Sequence, residues 1–77
     1  MFDTILEICR EVNKDIPSSP VVKLIDEGYI DSFGVFMIMT RIELQYDIVI
    51  SEDEMNYENF SDIEHIEQLI TRKQSKL

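Results

Sequence analysis

Few residues in this 77-residue chain are of a kind that does chemistry, and each has an ordinary alternative. Ser32 stands between Asp31 and Phe33, where an acid followed by an apolar run predicts the start of a helix. A helix N-terminus offers unpaired amide protons and partial positive charge, so a serine there is placed to carry a phosphodiester. On position alone, a serine at a helix start is usually just a cap. His65 is the only histidine, and it falls on the polar side of the last predicted helix, where it reads as a solvated residue rather than a base. Cys9 falls on the core side of the first predicted helix and reads as a small apolar filler. As the only cysteine it allows no intrachain disulfide, and no Cys/His cluster with zinc spacing accompanies it. The acids Glu52-Asp53-Glu54 would attract a divalent cation, but they lack the spacing and central glycine of a calcium loop. They read as a solvated face. No catalytic residues and no metal site are expected, and the chain does not read as an enzyme.

Four predicted elements must position these groups. Phe2, Ile5, Ile8, Cys9 and Val12 repeat at helical spacing, which predicts a first helix over about residues 2–14. The run Ile16-Pro17-Ser18-Ser19-Pro20 stops it. A long connection over about 15–30 follows, anchored by Leu24, Ile25 and Ile30, with Gly28 supplying a turn that needs positive φ. Asp31 is a good N-cap for a second helix running to about Tyr46, with Ile30 and Val35 spaced as a hydrophobic staple. Ile48-Val49-Ile50 reads as an extended, buried connection. Ser51-Glu52-Asp53-Glu54 is a capping box for a short third helix, and Ser61-Asp62-Ile63-Glu64 is a second one opening the last helix. Ile63, Ile66, Leu69 and Ile70 form that helix's apolar stripe, and Arg72-Lys73-Gln74-Ser75-Lys76-Leu77 reads as its fraying, positively charged end. The expected fold is all-α: three main helices, one short one and a long first loop.

The second helix does not fit a plain bundle. Val35, Ile38, Met39, Ile42 and Tyr46 make one stripe for the core. Phe33, Met37, Thr40 and Leu44, with Phe36 beside them, make another on the opposite side, where a helix that only covers a core carries charge. A chain this short can hardly bury a whole helix, so the second stripe predicts an exposed surface for partners. The bland alternative is that the long first loop folds over it.

The string Asp26-Glu27-Gly28-Tyr29-Ile30-Asp31-Ser32-Phe33-Gly34 resembles the attachment motif of the acyl carrier protein family. That motif is an acidic-glycine turn, an apolar residue, then Asp-Ser-Leu or a close variant. The resemblance continues through Val35 to Tyr46, through Asp47-Ile48-Val49-Ile50-Ser51-Glu52-Asp53-Glu54, and through Phe60-Ser61-Asp62-Ile63-Glu64-His65-Ile66. It covers essentially the whole chain as a single carrier domain, residues 1–77, and implies the family's four-helix bundle. It further implies that Ser32 bears a 4'-phosphopantetheine arm, transferred from coenzyme A by a phosphopantetheinyl transferase. The arm's thiol would take an acyl or aminoacyl group as a thioester, supplied by an activating ligase or synthase and presented to downstream transferases. Asp31, Phe33, Met37, Thr40 and Leu44 are the implied partner-binding positions. Fatty-acid carriers usually have acids on the outer face of this helix, where this chain has Met37 and Leu44; Gly34 and Arg41 also depart from the pattern. The resemblance is closer to carriers of specialised pathways, including stand-alone peptidyl and D-alanyl carriers. The other reading is an unmodified helical module that docks a partner through the outer stripe.

Composition bounds the partners. A formal net charge of −9 repels nucleic-acid backbones and anionic membrane surfaces and attracts basic patches on proteins. No apolar run approaches the ~20 residues of a membrane span. The acid-containing N-terminus does not read as a signal peptide, and the solitary cysteine suits a reducing, cytoplasmic setting. The start methionine and charged tail favour a free protein, expected as a monomer. A core of this size stabilises a fold by only roughly 3–5 kcal/mol.

Overall fold

The computed structural model describes residues 1–75, and all regular structure among them is helical. It contains α1 (Phe2–Val12), α2 (Ser32–Tyr46), a single 3-10 turn (Glu52–Glu54) and α3 (Ile63–Ser75). α1 lies against both α2 and α3. The core they enclose is built from Ile5, Ile8 and Cys9 of α1, Ile38 and Ile42 of α2, and Ile63, Ile66, Leu69 and Ile70 of α3. Ile16, Leu24 and Phe60 reach it from the connections and are fully buried. The radius of gyration, 11.3 Å, is that of a compact chain, about 11.5 Å for this length.

Helix α1 ends at Val12, two residues earlier than the apolar spacing predicts. Asn13 is the cause. Its side-chain oxygen accepts from the Asp15 amide at 3.0 Å, a local turn that competes with another helical residue. Its amide nitrogen donates to the Tyr29 carbonyl at 3.0 Å.

The first connection has no regular structure but is pinned at several points. Leu24 is fully buried, and its carbonyl accepts from the amides of Tyr29 and Ile30. Gly28 closes that loop at φ 80°, as expected. The Leu24 amide donates to the Ser61 carbonyl and the Glu64 amide to the Pro20 carbonyl, both at 2.9 Å, which fixes the connection to the start of α3.

Other expectations need correction. The segment after the Ser51 cap forms only a 3-10 turn, although both halves of its capping box are made. In Ile48-Val49-Ile50, Ile50 is buried but Val49 is 76 % exposed. Extended backbone alternates its side chains, so the middle residue faces out. The cap of α3 is Asp62 rather than Ser61: Asp62 Oδ1 accepts from the His65 amide at 2.8 Å, while Ser61 Oγ donates to the Glu58 carbonyl. The last turn of α3 is tied down rather than frayed, since Arg72 donates to Asn59 Oδ1 at 3.1 Å and Lys73 to Glu54 Oε1 at 2.8 Å. The expectation for Lys76 and Leu77 lies outside the described residues.

Candidate functional site around the start of α2

Asp31 caps α2 as predicted. Its backbone is extended, and Oδ1 accepts from the Gly34 amide at 2.9 Å. Ile30 and Val35, on either side of the cap, are both buried. Ser32 is therefore the first helical residue and is exposed, and the capping bond is made by its neighbour. The amides of Ser32 and Phe33 open the helix, where no intrahelical acceptor exists for them. Gly34 has a packing reason. A Cβ there would lie 3.2 Å from both Ile30 Cβ and Val12 Cγ1, so its absence lets α2 start close against α1.

The two stripes of α2 are real, and the first connection does not cover the outer one. Val35, Ile38 and Ile42 are buried. Phe33 is 69 % exposed, Phe36 52 %, Met37 40 % and Leu44 77 %. Thr40 is exposed on the same side, and its hydroxyl donates to the Phe36 carbonyl. Arg41 beside this stripe is paired with Glu11 of α1. The Glu43 carboxylate accepts from the Ile50 amide at 2.9 Å, which ties the end of α2 to the connection after it. The outer face is thus apolar, and its nearby charges are engaged within the molecule.

A cleft of about 240 Å³ adjoins Ser32. Ser32 lines it together with Ile25 of the first connection, Asp31 at the cap of α2, Val35 of α2, and Met55, Asn56 and Tyr57 after the 3-10 turn. The Tyr57 hydroxyl donates to Asp26 Oδ1 at 2.5 Å, joining the two connections beside the cleft. That bond to a carboxylate holds the Tyr57 phenol proton above its usual range. Neither Tyr57 nor Asp26 was singled out from sequence for this bond. They are 31 residues apart in two irregular segments, and no periodicity links them.

The remaining chemical candidates are separate from this site. Cys9 is fully buried, and burial pushes its thiol up to about 12. His65 is not a freely solvated residue: it is half-buried, with Nδ1 2.7 Å from the buried Asp62 carboxylate. Glu54 is held down to about 2, first by its bond from Lys73 and then by the Ser51 amide. Among the described residues, no group of three or more His, Cys, Asp or Glu side chains is arranged to hold a metal ion. No described helix is long and apolar enough to cross a membrane.

Neither a family model, nor a curated protein, nor a solved structure matches the chain.

Proposed function

We propose that the chain is a carrier of the acyl carrier protein kind, holding an acyl or aminoacyl group on a 4'-phosphopantetheine arm attached to Ser32. The observation that carries this reading is the state of Ser32. It opens α2 within the string from Asp26 to Gly34, it is exposed, and Asp31 has relieved it of the capping role that would otherwise explain it.

The residues present fit such a group. Asp31 takes the Gly34 amide and leaves those of Ser32 and Phe33 at the positive end of the helix. A negative charge at an exposed helix N-terminus is typically stabilised by about 0.3–1 kcal/mol, and a phosphodiester supplies one such charge. In the loading step, Ser32 Oγ would attack the phosphorus of coenzyme A that bears pantetheine. The new O–P bond forms as the bond to the adenosine bisphosphate breaks, and the serine proton passes to a base on the phosphopantetheinyl transferase. When bound, the arm supplies a thiol that holds the cargo as a thioester. Tethering raises the effective concentration of the cargo at each partner's active site.

On this reading the chain does no catalysis itself. Partners meet it through Asp31, Phe33, Met37, Thr40 and Leu44. The apolar character of that face favours a specialised pathway over fatty-acid synthesis. Incubation with coenzyme A and a broad-specificity phosphopantetheinyl transferase tests the proposal by intact mass. The expected gain is one phosphopantetheine on the wild type and none on Ser32→Ala. A folded wild type that gains nothing rules the reading out.

The exposure of Phe33, Phe36, Met37 and Leu44 also favours a second reading, an unmodified helical module that docks a partner through this face. Such a module tolerates Ser32→Ala and loses its partner with Leu44→Asp. The carrier loses its function with Ser32→Ala.

A further inference from the structure

We propose that the seam between α1 and α2 is a docking trough for an amphipathic helix of a partner protein, one with an apolar stripe and lysines or arginines along one flank. The inference names the partner of the outer face of α2 under either reading of that face, and it does not depend on Ser32.

The two helices run antiparallel. Val12 of α1 lies beside Gly34 near the start of α2, and Thr4 lies with Gln45 near its end. Three depressions follow the seam, and Glu11 lines all of them. The middle one, of about 340 Å³, has Phe33, Phe36 and Met37 as its apolar wall. The next, towards the end of α2, has Glu7 and Gln45 beside Glu11. The third runs towards the first connection and includes Asp31. Together they are lined by three acids, Glu7, Glu11 and Asp31, and by one base, Arg41. In the middle of the trough, α2 thus supplies the apolar wall and α1 the acidic edge.

Arg41 shows what that edge accepts. Its guanidinium crosses from α2 to pair with Glu11, and both side chains are half-exposed. An exposed pair of this kind contributes little, so a partner's cation can take the place of Arg41 at Glu11. Glu7 lies one turn earlier on the same side of α1. It is exposed and has no ion-pair partner among the described residues. The edge therefore offers one carboxylate that is free and one that is held by a replaceable cation.

The occupant must be apolar against Phe33 and Met37 and cationic along α1. A helix sets an apolar stripe and a charged flank side by side, whereas an extended chain turns successive side chains to opposite faces. An acidic partner would place like charge against Glu7 and Glu11. A second copy of this chain brings a net charge of −9 to the same surface and is repelled.

The test uses a synthetic helical peptide with leucines at i, i+3, i+4 and i+7 and lysines along one flank. It is titrated into the full chain by calorimetry and by amide and methyl resonance shifts. Shifts are expected at Glu7, Glu11, Val12, Phe33 and Met37, with affinity that falls as salt is raised. The same peptide with glutamates for lysines, or with serines for leucines, is expected to bind at least about tenfold more weakly. Glu7→Gln and Glu11→Gln should each weaken the lysine peptide about twofold to fivefold, the range of an exposed charge pair. Phe33→Gln should weaken it too, while Glu52→Gln, outside the trough, should leave it unchanged. Arg41→Gln frees Glu11 and should tighten binding more than Lys23→Gln, which makes the same change of net charge elsewhere. All variants are first confirmed helical by circular dichroism. No binding of the lysine peptide, shifts away from the seam, or equal losses in Glu7→Gln and Glu52→Gln would overturn the trough. Concentration-dependent seam shifts without peptide would overturn the choice of occupant in favour of a second copy. Weaker binding by Arg41→Gln would overturn the exchange at Glu11. Because no arm is involved, Ser32→Ala should bind the peptide as wild type does. A chain that takes up phosphopantetheine but not the peptide overturns the trough alone, and one that binds only the peptide overturns the carrier reading alone.

Discussion

One wall of the cleft beside Ser32 is α2; the other is the segment from Ser51 to Asn59. Both begin alike, with a buried isoleucine followed by a capping side chain: Ile30 then Asp31, Ile50 then Ser51. After that they diverge. α2 runs fifteen residues because Val35, Ile38 and Ile42 keep returning to the core. The other segment makes one 3-10 turn because its next residues, Glu52, Asp53 and Glu54, give it nothing to bury. The two serines differ accordingly. Ser51 Oγ accepts from the Glu54 amide, so it is committed to its cap. Ser32 lies one residue beyond a cap that already exists. A serine at a helix start is informative only once it is known which residue does the capping, and here that comparison separates a structural serine from a candidate for modification.

The sharpest way to break the comparison is to remove what only α2 has. Ile38→Ala deletes a fully buried side chain and is expected to cost about 2–5 kcal/mol. That is close to the whole stability of a chain this size, so circular dichroism and urea titration should find it largely unfolded. Leu44→Ala, on the outer face of the same helix, should stay within about 0.5 kcal/mol of wild type. Asp31→Ala removes the cap of α2 and is expected to cost about 1 kcal/mol in the same titration. Gly34→Ala sets two effects against each other. A helix gains about 1 kcal/mol from alanine over glycine, but the new Cβ meets Ile30 Cβ, which cannot retreat without moving backbone. Overpacking typically costs 1–3 kcal/mol, so a net loss of about 1 kcal/mol is expected.

A small, pH-dependent effect belongs to the polar wall. The Glu54 carboxyl titrates at about 2 in the folded chain, below its ordinary 4.5. A lowered folded value means the contribution is complete above about pH 4.5 and is lost as pH falls through about 2. For a partly exposed pair it should be less than about 1 kcal/mol. Lys73→Met should therefore be slightly less stable than wild type at pH 7, with the difference closing between pH 4.5 and 2. A difference that persists at pH 2 would assign Lys73 a packing role instead.

How legible these features were depends on the range over which each is determined. The cap, staple and inner face of α2 are local, and Asp31, Ile30 and Val35 announce them within a few residues. The outer stripe was legible for the same reason, because Phe33, Met37 and Leu44 fall where a covering helix would carry charge. The start of α3 was misread by one residue because Ser61 and Asp62 are both good caps. The choice was settled from elsewhere in the chain: the Ser61 carbonyl is taken by Leu24, and the Asp62 carboxylate meets both the amide and the ring of His65. The residues that line and close the cleft were not legible. Its polar closure pairs Tyr57 with Asp26 across two irregular segments, and its apolar lining comes from Ile25, Val35 and Met55, each of which also reads as an ordinary core residue.

The most direct test of the central claim is to locate the modification rather than only weigh it. After incubation with coenzyme A and the transferase, fragmentation mass spectrometry of the wild type should find one phosphopantetheine on the peptide holding Asp31-Ser32-Phe33 and none on the peptide holding Ser51. Ser32→Ala, folded to the same helicity, should remain unmodified. Modification at another serine, or none on a folded wild type, would contradict the account and leave the outer face of α2 as the feature to explain.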